Sequence, residues 1–224
     1  MIERILPIEV ASAEAFDDFD DVVLFPDEEA TVDRAGPSRR REFATGRACA
    51  RRALAELGMA PVGIPRLAKR APRWPCGVVG SITHCDGYRG AAVAWAREVA
   101  TVGIDAEPNG PLPPRVLRRV ASATEEAELA SLAEASSAVS WDRLLFSAKE
   151  SIYKAWFPLT GAWLGFKHAE VTIDATAGTF KSRLLVPGPT LSGHELRGFA
   201  GRWLAFDEIL ITAIAVLDDT TSDV

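Results

Sequence analysis

The spacing of apolar residues changes abruptly after residue 107, and that change constrains the fold more than any other feature of the chain. In EVATVGIDAE (98–107), Val102, Ile104 and Ala106 share one side of an extended segment, while Asp105 and Glu107 share the other. The run PNGPLPP then breaks the chain, and the spacing becomes helical through RVLRRVA, TEEAELASLAEA (with Thr124 as the expected cap) and SWDRLLFSAKESIYKAWF. Upstream, ILPIEV reads as a first strand. The run DDFDDVVLFPDEEA reads as an acidic connection, and SRRREFATGRACARRALAEL as a helix capped by Ser38 and ended by Gly58. GMAPVGIPRLAKRAPRWPCG is a long Pro/Gly-rich loop, followed by strands in VVGSITH and GAAVAWA. The tail is strands again: AEVTID, GTFKSRLLV, LRGFAGRWLAFD and EILITAIAVL. The order predicts an α+β fold of two similar halves, 1–102 and 103–224, each with one long helix and an antiparallel strand set.

Length and composition bound the function. The 224 residues are 48% hydrophobic, enough for a substantial core. No apolar run has the length of a membrane span, and the first ten residues lack the pattern of a secretory signal. Three cysteines without CxxC spacing argue against a disulfide framework and place the chain in the cytoplasm. A net charge of −6 disfavours nucleic acid and anionic membranes as partners. The charge is uneven, because residues 34–52 carry seven arginines, which points to a small anionic ligand.

Four segments carry chemistry. Asp105 and Glu107 at the end of an apolar strand suit Mg2+, which takes one or two carboxylates and completes its shell with water and phosphate. The competing reading is an ordinary amphipathic edge strand. In FSAKESIYKAW, Leu144, Ala148, Ile152 and Ala155 form the buried side, and Glu150 and Lys154 lie together on the other. They are either a solvated pair or a carboxylate and an ammonium facing a cleft. In TGRACARRAL, Arg47 falls beside the core stripe of Phe43, Ala50, Leu54 and Leu57, so it requires an ion-pair partner or a phosphate. In KRAPRWPCGVVGSITHC, Ser81 and Thr83 share one strand face and His84 ends the strand.

Taken in order, VGIDAE (102–107), FSAKESIYKA (146–155), REFATGRACARRAL (41–54) and APRWPCGVVGSITH (71–84) resemble the phosphopantetheinyl transferase superfamily, in its surfactin/enterobactin class. The resemblance implies a pseudo-twofold α+β pair with coenzyme A bound between the halves. It implies transfer of 4'-phosphopantetheine from coenzyme A to a serine of apo acyl or peptidyl carrier proteins. Asp105, Glu107 and Glu150 would surround Mg2+, with Lys154 on a phosphate oxygen and Glu150, Lys154 and His84 as the catalytic set. Arg47 and Arg70 would hold the adenosine end, and Ser81, Thr83, His84 and Lys149 would line the phosphate and nucleotide site. A monomer is expected, since one chain supplies both halves. GPLPPRVLRRV (110–120) is expected to dock the carrier through Arg115, Arg118 and Arg119, with Val116 and Leu117 as apolar prongs. The rival readings are another Mg2+-dependent hydrolase of coenzyme A or a nucleotide, and a silent carrier-binding module.

Overall fold

The computed structural model describes residues 1–67, 69 and 71–218. Two antiparallel sheets, each covered by one long helix, make up the two halves. The first sheet has the order β1 (Ala11–Ala15), β3 (Tyr88–Trp95), β2 (Val78–Cys85). Helix α2 (Pro37–Glu56) lies on it, following the short α1 (Pro26–Val32). Its Cys49, Ala50, Ala53 and Leu54 are buried together with Ile64, Val78, Ala91 and Val93. The second sheet has the order β4 (Val99–Pro108), β10 (Ile209–Leu217), β9 (Ala200–Phe206), β6 (Thr179–Leu184), β5 (Ala169–Asp174). Helices α3 (Pro114–Val120), α4 (Ala123–Ala135) and α5 (Trp141–Thr160) follow β4. A two-stranded hairpin, β7 (Thr190–Leu191) and β8 (His194–Glu195), interrupts the tail. The fold is α+β with two similarly built halves. The division expected after residue 102 falls inside β4, which pairs with β10 from Val99 onward.

Strand β4 is buried on both faces, so it is not the half-exposed edge that alternation alone allows. Val102, Ile104 and Ala106 enter a middle core with Tyr88, Ala92, Ile209 and Ile211. The opposite face meets α5. Strands β2 and β4 meet through side chains: Ser81 Oγ accepts the Ile104 amide at 3.1 Å, and Thr83 Oγ1 accepts that of Ala106 at 3.0 Å. Backbone donors this deeply buried must find acceptors, and here β2 hydroxyls supply them in place of ladder carbonyls.

Helix α5 comes close to the sheet because small residues face each other. Thr212 Oγ1 lies 3.0 Å from Ser147 Oγ and 2.6 Å from Ser151 Oγ, and Thr101 Oγ1 donates to the Ala155 carbonyl at 2.8 Å. At Gly103 a β-carbon would stand 2.2 Å from the Ser151 carbonyl oxygen and 2.8 Å from the Ala155 nitrogen. Both are backbone atoms, so no rotamer change relieves the clash. Gly103→Ala is therefore expected to cost about 3 kcal/mol, as other overpacked contacts do, measured by urea unfolding. A parent-like midpoint would show that α5 slides freely on β4.

Several sequence expectations are corrected locally. ILPIEV is not a strand: Ile2–Ile5 forms a 3-10 turn that buries Ile2 and Ile5, and the first strand begins at Ala11. Pro37 occupies the first turn of α2 with Gly36 as its cap, displacing Ser38. The cap of α4 is Ser122, not Thr124; it forms a reciprocal capping box with Glu125 that the S-x-x-E spacing already displays. Val116 and Leu117 pack against the core of the second half, so they are not free prongs.

Candidate active site

The sequence gives each half one long helix, and those helices flank a cleft of about 920 Å³ between the halves. Its lining from the first half includes Arg39, Arg47, Arg66, Lys69 and His84. From the second half it includes Asp105, Glu150, Tyr153, Lys154 and Trp163. The first-half end is thus mainly basic, with Glu42 beside its cations, and the second-half end carries the acidic pair Asp105 and Glu150 beside Lys149 and Lys154.

At the acidic end, Asp105 is 5% exposed. Its Oδ1 accepts Lys154 Nζ at 2.8 Å and Thr83 Oγ1 at 3.3 Å, and Lys154 also donates to the Ile104 carbonyl at 2.9 Å. Asp105 Oδ2 is buried and has no hydrogen-bond partner among the described residues. Glu150, one turn before Lys154 on α5, makes no hydrogen bond or ion pair among the described residues. Burial, then the neighbouring Asp105 charge, push its carboxyl up to about 7, with Lys154 opposing and Glu107 adding. Burial and Asp105 also raise Glu107, whose Oε2 accepts Arg143 Nη1 at 2.9 Å. Arg143 in turn donates to the Gly110 and Pro111 carbonyls at 2.9 and 3.1 Å, fixing the chain between β4 and α3.

These are hard oxygen donors, and Asp105 Oδ2 is a buried carboxylate oxygen left without a proton donor. That combination fits a divalent cation sharing its shell with phosphate. Among the described residues no three His, Cys, Asp or Glu side chains stand at metal-holding spacing, and Glu107 is turned to Arg143.

The raised Glu150 makes a prediction about stability. A carboxyl with a folded-state value near 7 favours folding while protonated. That contribution is present below the ordinary value of 4.5 and is lost as pH rises through about 7. With chelator present, Glu150→Gln should therefore melt above the parent at pH 8 and alongside it near pH 4. Equal melting differences at both pH values would contradict the raised Glu150 carboxyl.

At the basic end, Arg47 is 5% exposed. Its Nε donates to the Ile64 carbonyl at 2.7 Å, and its guanidinium lies 4.2 Å over the Phe43 ring. Its Nη atoms make no hydrogen bond among the described residues. His84 has both ring nitrogens engaged: Nδ1 lies 2.9 Å from Glu42 Oε1, and Nε2 lies 3.1 Å from Arg39 Nη1. Burial, then Arg39, lower it to about 4, so it is neutral at physiological pH. The consistent tautomer donates from Nδ1 to Glu42 and accepts Arg39 at Nε2.

Three sequence-derived residues differ from their expected roles. Lys149 is 3% exposed and its ammonium is spent internally, on the Val120 carbonyl at 2.9 Å, Glu125 Oε2 at 2.8 Å and the Phe166 carbonyl at 3.0 Å. All its protons are taken, so it holds a wall of the cleft and has none left for a ligand. Ser81 and Thr83 line the cleft, but their oxygens serve the amides of β4. Arg70 lies outside the described residues. Sequence reasoning overlooked Arg39, Arg66 and Arg143. Arg143 had a signal, since it falls on the α5 stripe of Ser147, Glu150 and Lys154.

Known proteins match the chain along nearly its whole length. The family model described as the 4'-phosphopantetheinyl transferase N-terminal domain matches residues 27–94, and that of the 4'-phosphopantetheinyl transferase superfamily matches residues 101–205. The 4'-phosphopantetheinyl transferase Svp of Streptomyces mobaraensis is 54% identical over 219 residues, 96% of this chain and 89% of Svp. Npt of Nocardia iowensis is 49% identical over 223 residues, 96% of this chain and 99% of Npt. PptT of Mycobacterium tuberculosis is 43% identical over 224 residues, 96% of this chain and 98% of PptT. With both halves matched in order and relatives aligned almost end to end, the chain belongs to the 4'-phosphopantetheinyl transferase superfamily.

Proposed function

We propose that the enzyme transfers 4'-phosphopantetheine from coenzyme A to a carrier-protein serine within this cleft, the phosphorylated adenosine lying at the basic end and the pyrophosphate at the acidic end. The observation that carries this assignment is the opposition of Arg39, Arg47, Arg66 and Lys69 to Asp105, Glu150 and Lys154 across one cavity. Arg47 offers its Nη atoms to the 3'-phosphate, and a guanidinium grips such a group bidentately. Lys154, held by Asp105 and the Ile104 carbonyl, presents its positive charge where the pyrophosphate lies. The serine Oγ forms a bond to the phosphorus next to pantetheine, and the bond from that phosphorus to the bridging oxygen breaks. Adenosine 3',5'-bisphosphate leaves with the electron pair. The serine proton passes to Glu150, directly or through a water. Asp105 and Glu150, with Glu107 as the further carboxylate, would hold Mg2+, whose charge would offset that of the pyrophosphate. Neutral His84 orients Arg39.

The test is to incubate the enzyme with coenzyme A, Mg2+ and an apo carrier and to weigh the carrier. Gain of one phosphopantetheine supports transfer. Release of free phosphopantetheine without an acceptor would indicate a hydrolase, and binding without mass gain a silent module.

One chain supplies both walls, which supports a monomer; sedimentation showing an obligate oligomer would overturn it. Cys49, Cys76 and Cys85 are free thiols, which fits a reducing, cytoplasmic setting. The carrier docks beside the acidic end on α3, where Arg115, Arg118 and Arg119 are exposed. Reversing Arg115 and Arg118 to Glu should raise the KM for an acidic carrier severalfold and leave that for coenzyme A unchanged. Unaltered carrier kinetics at low salt would move the docking face elsewhere.

A further inference from the structure

Glu28 belongs to α1, in a stretch that the sequence presents as an acidic connection, yet its side chain is fully buried. A carboxylate so removed from water requires partners on both oxygens. Arg51 Nη1 of α2 donates to Oε1 at 2.8 Å and to Oε2 at 3.0 Å. The Ile64 amide donates to Oε1 at 2.8 Å, and the Phe25 amide to Oε2 at 2.9 Å. Ile64 is held a second time from its carbonyl, which accepts Arg47 Nε, and a third time by its own fully buried side chain. The loop after α2 is therefore fastened at one residue by two oppositely charged side chains. Arg66, Leu67 and Lys69 of the cleft follow directly.

We propose that Glu28 is the positioning residue of the basic end of the cleft: through the Ile64 peptide it fixes both the segment carrying Arg66 and Lys69 and the guanidinium of Arg47. Charge supports the geometry. Burial and the neighbouring Arg66, Arg51 and Arg39 pull Arg47 down to about 10, and Glu28 is the anion that opposes them. Without it, the Arg47 guanidinium would face those of Arg66, Arg51 and Arg39 without this opposing charge. The role rests on the reading that this end receives the 3'-phosphate.

Steady-state kinetics of the full chain with coenzyme A and dephospho-coenzyme A as donors test it. Glu28→Gln keeps the shape but removes the charge and sets an amide against the Ile64 amide or Arg51. The KM for coenzyme A is expected to rise about tenfold, the loss of one hydrogen bond to a charged group. The KM for dephospho-coenzyme A, the KM for carrier and kcat should stay within about twofold of the parent. Glu28→Asp keeps the charge and shortens the reach; it should give the same split at smaller size, and it decides the matter if Glu28→Gln does not fold. A lowered melting temperature with parent-like donor preference, or equal losses for both donors, makes Glu28 a stabilising residue only and overturns the proposal. Arg47→Ala is the control for the underlying reading. If it too fails to distinguish the two donors, the 3'-phosphate assignment is wrong and the role of Glu28 falls with it. If Arg47→Ala distinguishes them and the Glu28 variants do not, the positioning role alone fails.

Discussion

Asp105→Ala is expected to lower turnover by about 30- to 1,000-fold, the equivalent of about 2–4 kcal/mol for a key electrostatic group in a water-poor site. Three features converge on this carboxylate. It holds the Lys154 ammonium and the Thr83 hydroxyl on one oxygen, and its other oxygen is buried without a donor among the described residues. Removing it frees Lys154 to follow the neighbouring Glu150 and deletes one of the three carboxylates proposed to hold the cation. The loss should fall on kcat and kcat/KM together, because the interaction matters most as charge develops on the pyrophosphate. The fold should survive: burial is the main cause that raises Glu107 and Glu150, and removing Asp105 relieves the repulsion that adds to it. Mass spectrometry of the carrier and a thermal melt together check this. Full turnover by the variant in saturating EDTA would end both the metal assignment and the role of Asp105.

The largest expected effect on stability lies away from the chemistry. Glu125→Ala should cost about 3–5 kcal/mol, the range for stranding one member of a buried ion pair. Glu125 is 2% exposed, and its carboxylate accepts Lys149 at 2.8 Å, the Ser122 amide at 2.7 Å and the Val171 amide at 2.8 Å. One side chain thus ties the start of α4, the middle of α5 and the first strand of the tail. Burial already lowers Lys149, and Glu125 counters that effect. In the variant the ammonium is left with carbonyls alone. Urea denaturation with an unchanged slope and a midpoint within error of the parent would show that the pair is dispensable.

What could be read without coordinates followed from burial rhythm. Arg47 was placed on the inner flank of its helix, and Leu144, Ala148, Ile152 and Ala155 in the core, because those positions repeat at the helical period; all five are buried. The pattern reports which side is covered, but not what covers it. Lys149 could not be matched to Glu125, because their meeting depends on how α4 packs against α5 and β5. Glu28 was hidden for the same reason: its partners, Arg51 and Ile64, lie 23 and 36 residues away. Ser81 and Thr83 were seen as strand hydroxyls, but not as acceptors for a strand of the other half. ILPIEV is misplaced as a strand because Leu6, Ile8 and Val10 alternate as strand residues do, yet Ile8 proves 96% exposed.

The seam between β2 and β4 bears on solubility. Each strand is the outermost of its own sheet. An uncovered outermost strand offers a row of amides and carbonyls that another chain can join, which is how sheet proteins begin to aggregate. Here the hydroxyls of Ser81 and Thr83 occupy amides of β4, and each edge shields the other. The junction that assembles the cleft is therefore also a guard against self-association. If the halves part, the enzyme loses its site and exposes two adhesive edges in the same event.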